Sequence, residues 1–380
     1  MLAKAELNPA VKLRIARVGE APLPSDEAWR DLAMKATEPN PFFEHWFLKP
    51  ALRHLTSGSP IWVAQLWEGD LLCGLMPLSV RDRYGRMPVR TVGNWAHYQC
   101  FMGTPLIAEG YETAFWRALL SALDEADWAL GFLSVSGLLP EGPVDRGLIA
   151  AAQALGRPCP VVHRHERAML RSDLSAEAYL EAHVRAKKRK EWRRLENRLS
   201  DLGAVEFETL NDASELPAWC AAFLALEAAG WKGRDGAALG NRPETEGFFT
   251  AMMAGALAAG ALEFQRLTLD NRPIAMLVNF VTAPGSWSFK IAYDEELARF
   301  SPGVMIELRN LTRVLRNPDI DWMDSCAVEG HPMIDSLWAE RRSIVQVSVP
   351  LKGARRALAW KACRAAETAS AALKSMWSKG

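Results

Sequence analysis

The sequence has no excess of charge of either sign, no long apolar run and no cysteines at metal spacing, and each lack removes a class of function. Its 45 basic residues match its 45 acidic ones, so it is not a wholesale polyanion binder, which needs a net positive field. No window approaches the roughly 18 uninterrupted apolar residues of a spanning helix, which excludes an integral membrane protein of that kind. The six cysteines, Cys73, Cys100, Cys159, Cys220, Cys326 and Cys363, stand far apart with no C-x-x-C pair and no histidine at zinc spacing. They read as reduced core thiols, and no metal is expected. The N-terminal MLAKAELNPAVKLRIARVGE has no apolar stretch ahead of a small-residue cleavage site, which points to a cytoplasmic protein.

What is present is globular, with 380 residues of which 49% are hydrophobic and 24% charged, enough for two domains. Two β-hairpins are predicted, at residues 61–80 around Glu68, Gly69 and Asp70 and at 262–281 around Asp270, Asn271 and Arg272. Each is followed by a helical stretch and then a strand opening with Asp-Trp, Asp127-Trp128 in one half and Asp321-Trp322 in the other. The order strand, strand, helix, strand thus occurs twice at an offset near 200 residues, a duplicated domain rather than a solenoid, whose period is about 20 to 50 residues. One long helix is expected from about Ser175 to Leu202, capped by Gly203, and another from about Gly353 to Trp377. Arg185 to Arg198 carries a charge of +6 and Lys352 to Lys379 another +6, leaving −12 for the rest of the chain.

The stretch 286–326 holds the chemistry. SWSFKIAY alternates as a half-buried strand, with Trp287, Phe289, Ile291 and Tyr293 on one face and Ser288, Lys290 and Ala292 on the other. A helix then begins at Ser301-Pro302-Gly303, with Ser301 as hydroxyl N-cap and Val304, Leu308, Leu311 and Leu315 as its apolar face. The free N–H groups of such a first turn, with the helix dipole behind them, bind phosphate. DWMDSC follows as a strand.

This chain resembles the CelD-like branch (named after cellulose biosynthesis) of the GNAT acyltransferase superfamily. The residues that carry the resemblance are the basic helix ending at Leu199 to Gly203, Trp231-Lys232-Gly233, Phe289-Lys290 with Tyr293-Asp294-Glu295, Ser301-Pro302-Gly303, Asp324-Ser325-Cys326 and His331-Pro332. The usual GNAT loop Q/R-x-x-G-x-G/A is one residue longer here, Arg299 to Gly303, and lacks its second glycine. The first half matches more loosely, through NPFF at 40–43 and the G-x-x-P-L at Gly74 to Leu78. The resemblance implies an α/β (α+β) fold of two tandem GNAT-like domains, as in the FemABX aminoacyl transferases, each a mixed, mostly antiparallel sheet flanked by helices. The expected boundaries are 1–170 for an N-terminal domain with a degenerate donor site, 171–350 for the CelD-like domain, and 351–380 for a basic amphipathic helix.

The resemblance also implies acyl transfer from a thioester, acyl-CoA or acetyl-CoA, to an amine. Arg299, Ser301, Gly303 and Val304 would hold the donor's phosphates, and Trp231, Lys232, Lys290 and Asp294 would meet the substrate. The acceptor's proton needs a base, for which Asp324, His331 and Glu329 are the candidates. Asp324 would project from a strand end into the cleft, or else cap a turn or pair with an arginine. His331 lies four residues before Asp335, which would orient its ring. The first half has no S-P-G at its helix start, so a single donor site is expected, and the aromatic NWAHYQCF at 94–101 would line an acceptor groove or pack in the core. His163 and His165 show no metal-ligand context.

The basic helix is open to three readings: a solvated face, an attachment to the acidic surface of an acyl carrier protein or the phosphates of coenzyme A, and contact with an anionic membrane. Trp360, Leu373, Met376 and Trp377 give the C-terminal helix an interfacial character, consistent with a peripheral location on the inner face of the cytoplasmic membrane. No specific nucleic acid is expected. The acceptors that suit this picture are an envelope lipid, a polysaccharide or a small amine precursor. The alternatives are a FemABX-like transferase using aminoacyl-tRNA and a non-catalytic factor of polysaccharide export.

Overall fold

The computed structural model describes residues 11–377, with side chains to residue 370. The chain opens with β1 (Val11–Arg17), α1 (Asp26–Lys35) and α2 (His45–His54). Next come the hairpin β2 (Ile61–Glu68) and β3 (Leu71–Arg81), then β4 (Thr91–Asn94), β5 (Leu106–Ile107) and α3 (Glu112–Glu125). They are followed by β6 (Phe132–Leu138), α4 (Pro143–Ala154), β7 (Val161–Leu170), α5 (Ala176–His183) and α6 (Ala186–Ser200). After β8 (Val205–Thr209) come α7 (Leu216–Ala229), α8 (Trp231–Arg234) and α9 (Pro243–Ala258). The strands β9 (Leu262–Leu269), β10 (Arg272–Thr282) and β11 (Gly285–Tyr293) lead to α10 (Pro302–Arg316). Last are β12 (Trp322–Asp324), β13 (Glu340–Pro350) and α11 (Ala354–Trp377).

These elements form two compact units. Unit 1 takes residues 11–45, 56–165 and 343–377. Its strands lie in the order β1-β2-β3-β4-β6-β13. The predicted first hairpin turns through Gly69 at φ 58°, a left-handed position that glycine occupies without a Cβ penalty. Phe115, Trp116, Leu119 and Leu123 of α3 and Val144 and Leu148 of α4 bury one apolar face each in the core of this unit, each large side chain worth about 1.5–3 kcal/mol of burial. Asp127-Trp128 does not open a strand. It sits in the turn before β6, where the Trp128 ring stacks on Trp62 at 4.1 Å. α11 is part of this unit: Cys363 is buried, Trp360 Nε1 donates to Ser348 Oγ at 3.0 Å, and the Tyr84 hydroxyl donates to Glu367. Trp360 is thereby tied to β13, while the side chains of Leu373, Met376 and Trp377 lie outside the described residues.

Unit 2 takes residues 46–55 and 166–342. Its strands lie in the order β7-β12-β11-β10-β9-β8. The second predicted hairpin closes through Asp270 and Asn271, both at positive φ (49° and 64°), the conformation a two-residue type I′ turn requires. Neighbouring β9 residues show the two faces of the sheet: Phe264 packs on Trp219 and Phe223 of α7, and Glu263 pairs with Arg313 of α10. Trp46 and Phe47 of α2 join the α7 side, against Phe280, Phe248 and Phe289. The helix expected over 175–202 is broken in two, because Val184 and Arg185 are extended (ψ 125° and 136°). Val184 is buried with Tyr179 and Trp192, and burying its β-branched side chain there costs the helix one turn.

Candidate active site

In unit 2, the parallel strands β11 and β12 pair at only three positions, Gly285 with Trp322, Ser286 with Met323 and Trp287 with Asp324. They then part. The cause is Asp324, whose Oδ1 accepts the Cys326 N–H at 2.8 Å and so folds the chain back with Cys326 at φ 53°. The next residue stays with β7, Ser325 N–H donating to the Ala168 carbonyl at 3.2 Å. Of the two expectations for Asp324, the structure shows the turn cap and the arginine pairing and not a projection into the cleft. Asp324 is 0% exposed and held by Arg167 (2.6 Å to Oδ1) and Arg342 (3.0 Å to Oδ2), and the Arg342 guanidinium lies over the Trp322 ring at 3.7 Å. A carboxylate enclosed in this way positions backbone and has no route to a substrate proton.

The first turn of α10 stands at the end of β11. A Cβ on Gly303 would come within 3.2 Å of Tyr293 and 3.6 Å of the Met333 sulfur, so this glycine lies between the strand end and the 331–333 turn. Ser301 is not the hydroxyl cap the sequence suggests: it is left-handed (φ 57°), its side chain makes no cap bond, and its carbonyl accepts from both Val304 and Met305. Val304 N–H is therefore occupied. Among the described residues, Gly303 N–H has no backbone partner and remains to meet an anion at the positive end of the helix. Exposed Arg299 flanks it, over the Phe300 ring at 4.8 Å.

On the opposite face of the sheet a second group assembles. Phe289 is a bulge, since Val278 pairs with Lys290 and Asn279 with Ser288. One extra residue reverses the alternation beyond it. Ser288 and Ile291 therefore face α10, where Ser288 Oγ meets Glu307 at 3.5 Å, whereas Phe289 and Lys290 both face α7 and α2. Lys290 Nζ lies 3.6 Å from Oε1 of Glu227, a residue of α7 that is 3% exposed. Lys232 Nζ is 3.2 Å from the same oxygen, and Oε2 accepts the Leu239 N–H at 2.8 Å. Burial pulls the Lys290 ammonium down to about 8, with Glu227 opposing that shift and Lys232 adding to it. Glu307, a buried residue of α10, is pushed up to about 7 by desolvation against hydrogen bonds from Asn310 and Ser288.

Glu295 ties the two groups together. It accepts the Trp231 N–H at 2.7 Å and pairs with Arg234 at 2.6 Å, fixing the Trp231-Lys232-Gly233 turn to the segment that leads into α10. Gly233 is required there, because a Cβ would collide with the Ala228 carbonyl oxygen at 1.7 Å. Trp231 is 51% exposed at the rim of a pocket lined by Glu227, Lys232, Ala292 and Tyr293.

Residues 186–335 match the family model described as an acetyltransferase (GNAT) domain. Unit 2 carries a GNAT domain. Among the solved structures that resemble most of the chain are three. FemX does so at 10% identity and TM-score 0.54, covering 85% of this chain and 96% of that one. A conserved protein of unknown function from Bacteroides thetaiotaomicron VPI-5482 does so at 12% and 0.54, covering 87% and 98%. The C-terminal domain (DUF2156) assigned to a lysylphosphatidylglycerol synthetase from Agrobacterium fabrum does so at 12% and 0.50, covering 88% and 94%. At these identities the likeness is one of fold, and the fold is two GNAT-like units in series. Comparison with curated proteins gave no match.

The remaining expected residues are dispersed around this GNAT domain. Asp294 is engaged in structure, accepting the Glu296 N–H at 2.9 Å and pairing with Arg272 at 2.9 Å. Exposed Glu329 accepts the Glu166 N–H at 3.1 Å. His331 takes the Ile334 N–H on Nδ1 at 3.4 Å, and Asp335 pairs with Arg341 rather than with the ring. Glu227 escaped the sequence reading because a lone acid in the apolar LALEAA of α7 has no distinguishing mark; its one signal is the Trp-Lys-Gly four residues on. In the described residues no group of three metal-ligating side chains is found, and no helix is long and apolar enough to cross a membrane.

Proposed function

We propose that this chain is an N-acyltransferase of the CelD-like branch that moves an acyl group from a phosphopantetheine thioester to an amine. The observation that carries this reading is the parting of β11 and β12 after three pairs, with the first turn of α10 at its end. A gap between strands leaves unpaired backbone to meet an extended, amide-bearing arm. The Gly303 N–H with Arg299 offers a terminus for its phosphate. Acetyl- or acyl-CoA fits such a site.

Lys290 fits the base role better than the carboxylates do. A lysine near 8 is partly neutral at working pH, and Glu227 holds it in place. The acceptor nitrogen bonds to the thioester carbon, its proton passes to Lys290, the C–S bond breaks, and the sulfur leaves as a thiol after taking a proton back. Trp231 and Lys232 at the pocket rim would hold the acceptor, an amine on an envelope lipid, polysaccharide precursor or small molecule.

Isothermal titration with acetyl-CoA and palmitoyl-CoA tests this. Submillimolar binding is expected, with a loss of at least about 100-fold in Gly303→Asp, where a carboxylate stands against the phosphate. No heat from either thioester would overturn the reading. An aminoacyl-tRNA donor is the rival favoured by the basic α6, and tRNA binding that persists above physiological salt would select it.

A further inference from the structure

We infer that the outward face of α6 is a docking surface for an acidic carrier protein that delivers the acyl group on its own phosphopantetheine arm. This rests on the donor site proposed above and names the donor's carrier. α6 buries Trp192, Leu195 and Leu199, and Leu195 and Leu199 pack in one cluster with Phe300, Met305 and Ile306, the residues on either side of the α10 start. The opposite stripe is Lys187, Lys190, Arg194 and Arg198, spaced three, four and four residues apart, with Arg193 beside it. All five are exposed. At about 1.5 Å per residue the stripe is about 16 Å long. It ends at the donor site: the Arg198 guanidinium lies 5.9 Å from the Phe300 ring that Arg299 also covers.

This stripe costs the fold stability. Like charges at i,i+3 and i,i+4 oppose helix formation by about 0.2–0.5 kcal/mol per pair. The structure offsets part of it through Glu191, which pairs with Arg194 and also attracts Arg198 and Lys187, whereas Lys190 and Arg193 form no ion pair among the described residues. An anionic partner would remove the cost. A membrane fits poorly, because the exposed face of the helix has no apolar side chain to insert. An extended polyanion such as RNA would run off a short stripe onto a body that is acidic by twelve charges outside the two basic segments. A small acidic protein meets the stripe alone, and its pantetheine phosphate arrives where the stripe ends.

The test is direct binding of three probes: a bacterial fatty-acid acyl carrier protein loaded with a palmitoyl thioether, its unloaded form, and the palmitoyl thioether of CoA. The double variant Lys187→Glu/Lys190→Glu, checked for an unchanged thermal melt, should weaken the loaded carrier protein at least tenfold and the CoA thioether less than twofold. The unloaded carrier should bind weakly but with the same sensitivity and a steep salt dependence. Equal weakening of both loaded probes would mean that the stripe serves the phosphates of CoA, and no weakening of either would mean that it is a solvated face; each overturns the proposal. So would tRNA, or vesicles of phosphatidylglycerol, binding more tightly than the carrier protein and losing that affinity in the double variant. Gly303→Asp separates the two layers: if it leaves both thioethers bound, the donor site is wrong, whatever the stripe binds.

Discussion

Both units contain a parallel strand pair that forms briefly and then has to end, β4 with β6 in unit 1 and β11 with β12 in unit 2. In unit 1 the gap is sealed. Asn94, at the end of β4, donates to the Ser136 carbonyl at 2.8 Å and to the Gly103 carbonyl at 3.2 Å, and accepts the Ser136 N–H at 3.0 Å. The segment entering the gap is fixed further by Gly103 N–H donating to Gly137 at 3.1 Å and by Asn40 bonding the carbonyls of Met102 and Thr104. In unit 2 the residue at the parting is Asp324, and a carboxylate can only accept. It takes the backbone N–H of Cys326 and two guanidinium groups and itself donates nothing to β11, although the Arg342 guanidinium lies over the Trp287 ring of that strand at 5.4 Å. An amide donates and accepts, so it can stitch two strands; an anion cannot. On the function proposed above, that difference would leave room for a donor in unit 2 and none in unit 1.

The largest test of this comparison is Asp324→Asn. It removes the negative charge between two buried guanidinium groups and should cost about 3–5 kcal/mol in urea unfolding. Unchanged stability together with lost turnover would restore Asp324 as the base. Asn94→Ala comes next, leaving the Ser136 N–H and two carbonyls unsatisfied, at about 1–3 kcal/mol for each buried group that water does not reach. Donor stoichiometry by calorimetry should stay at one per chain, because the first turn of α3 carries Glu112, whose charge opposes an anion there. A second donor bound to this variant would mean that the amide seal alone distinguishes the units. The smallest effect is on Lys290, whose side chain should titrate by NMR near 8 rather than at the usual lysine value. Glu227 stabilises the ammonium, so Glu227→Gln should lower that midpoint; Lys232 repels it, so Lys232→Met should raise it. A midpoint near about 10.4 that neither substitution moves is that of a free surface lysine and would remove Lys290 from the mechanism.

Much of the scaffold is legible in the residue order. Gly69-Asp70 and Asp270-Asn271 mark their hairpins because their types tolerate positive φ, and Ser301-Pro302-Gly303 marks the start of α10 because proline is favoured in the first turn of a helix. The charge of α6 is equally plain. The break at Val184 was not, since its cause is a side chain buried against residues remote in sequence. Nor was the face of Lys290: simple alternation puts it opposite Phe289, and the bulge puts both on one side. The aromatic NWAHYQCF turned out to be mixed, with Trp95 buried, His97 held to about 4 by desolvation, and Tyr98 97% exposed.

The sequence by itself determined the two hairpin turns, the start of α10 at Ser301-Pro302-Gly303, and that the neutral total hides two basic stretches. These are local properties, set by backbone preference and by the charge each residue carries. Tertiary structure decided which carboxylate is available and which is locked. The string of letters marks Asp324 in its Asp-Ser-Cys and leaves Glu227 anonymous, yet Arg167, 157 residues before Asp324, closes the first, while one bulged residue brings Lys290 to the second. Long-range neighbours set the dielectric and the partners of a charge, and no local pattern records them.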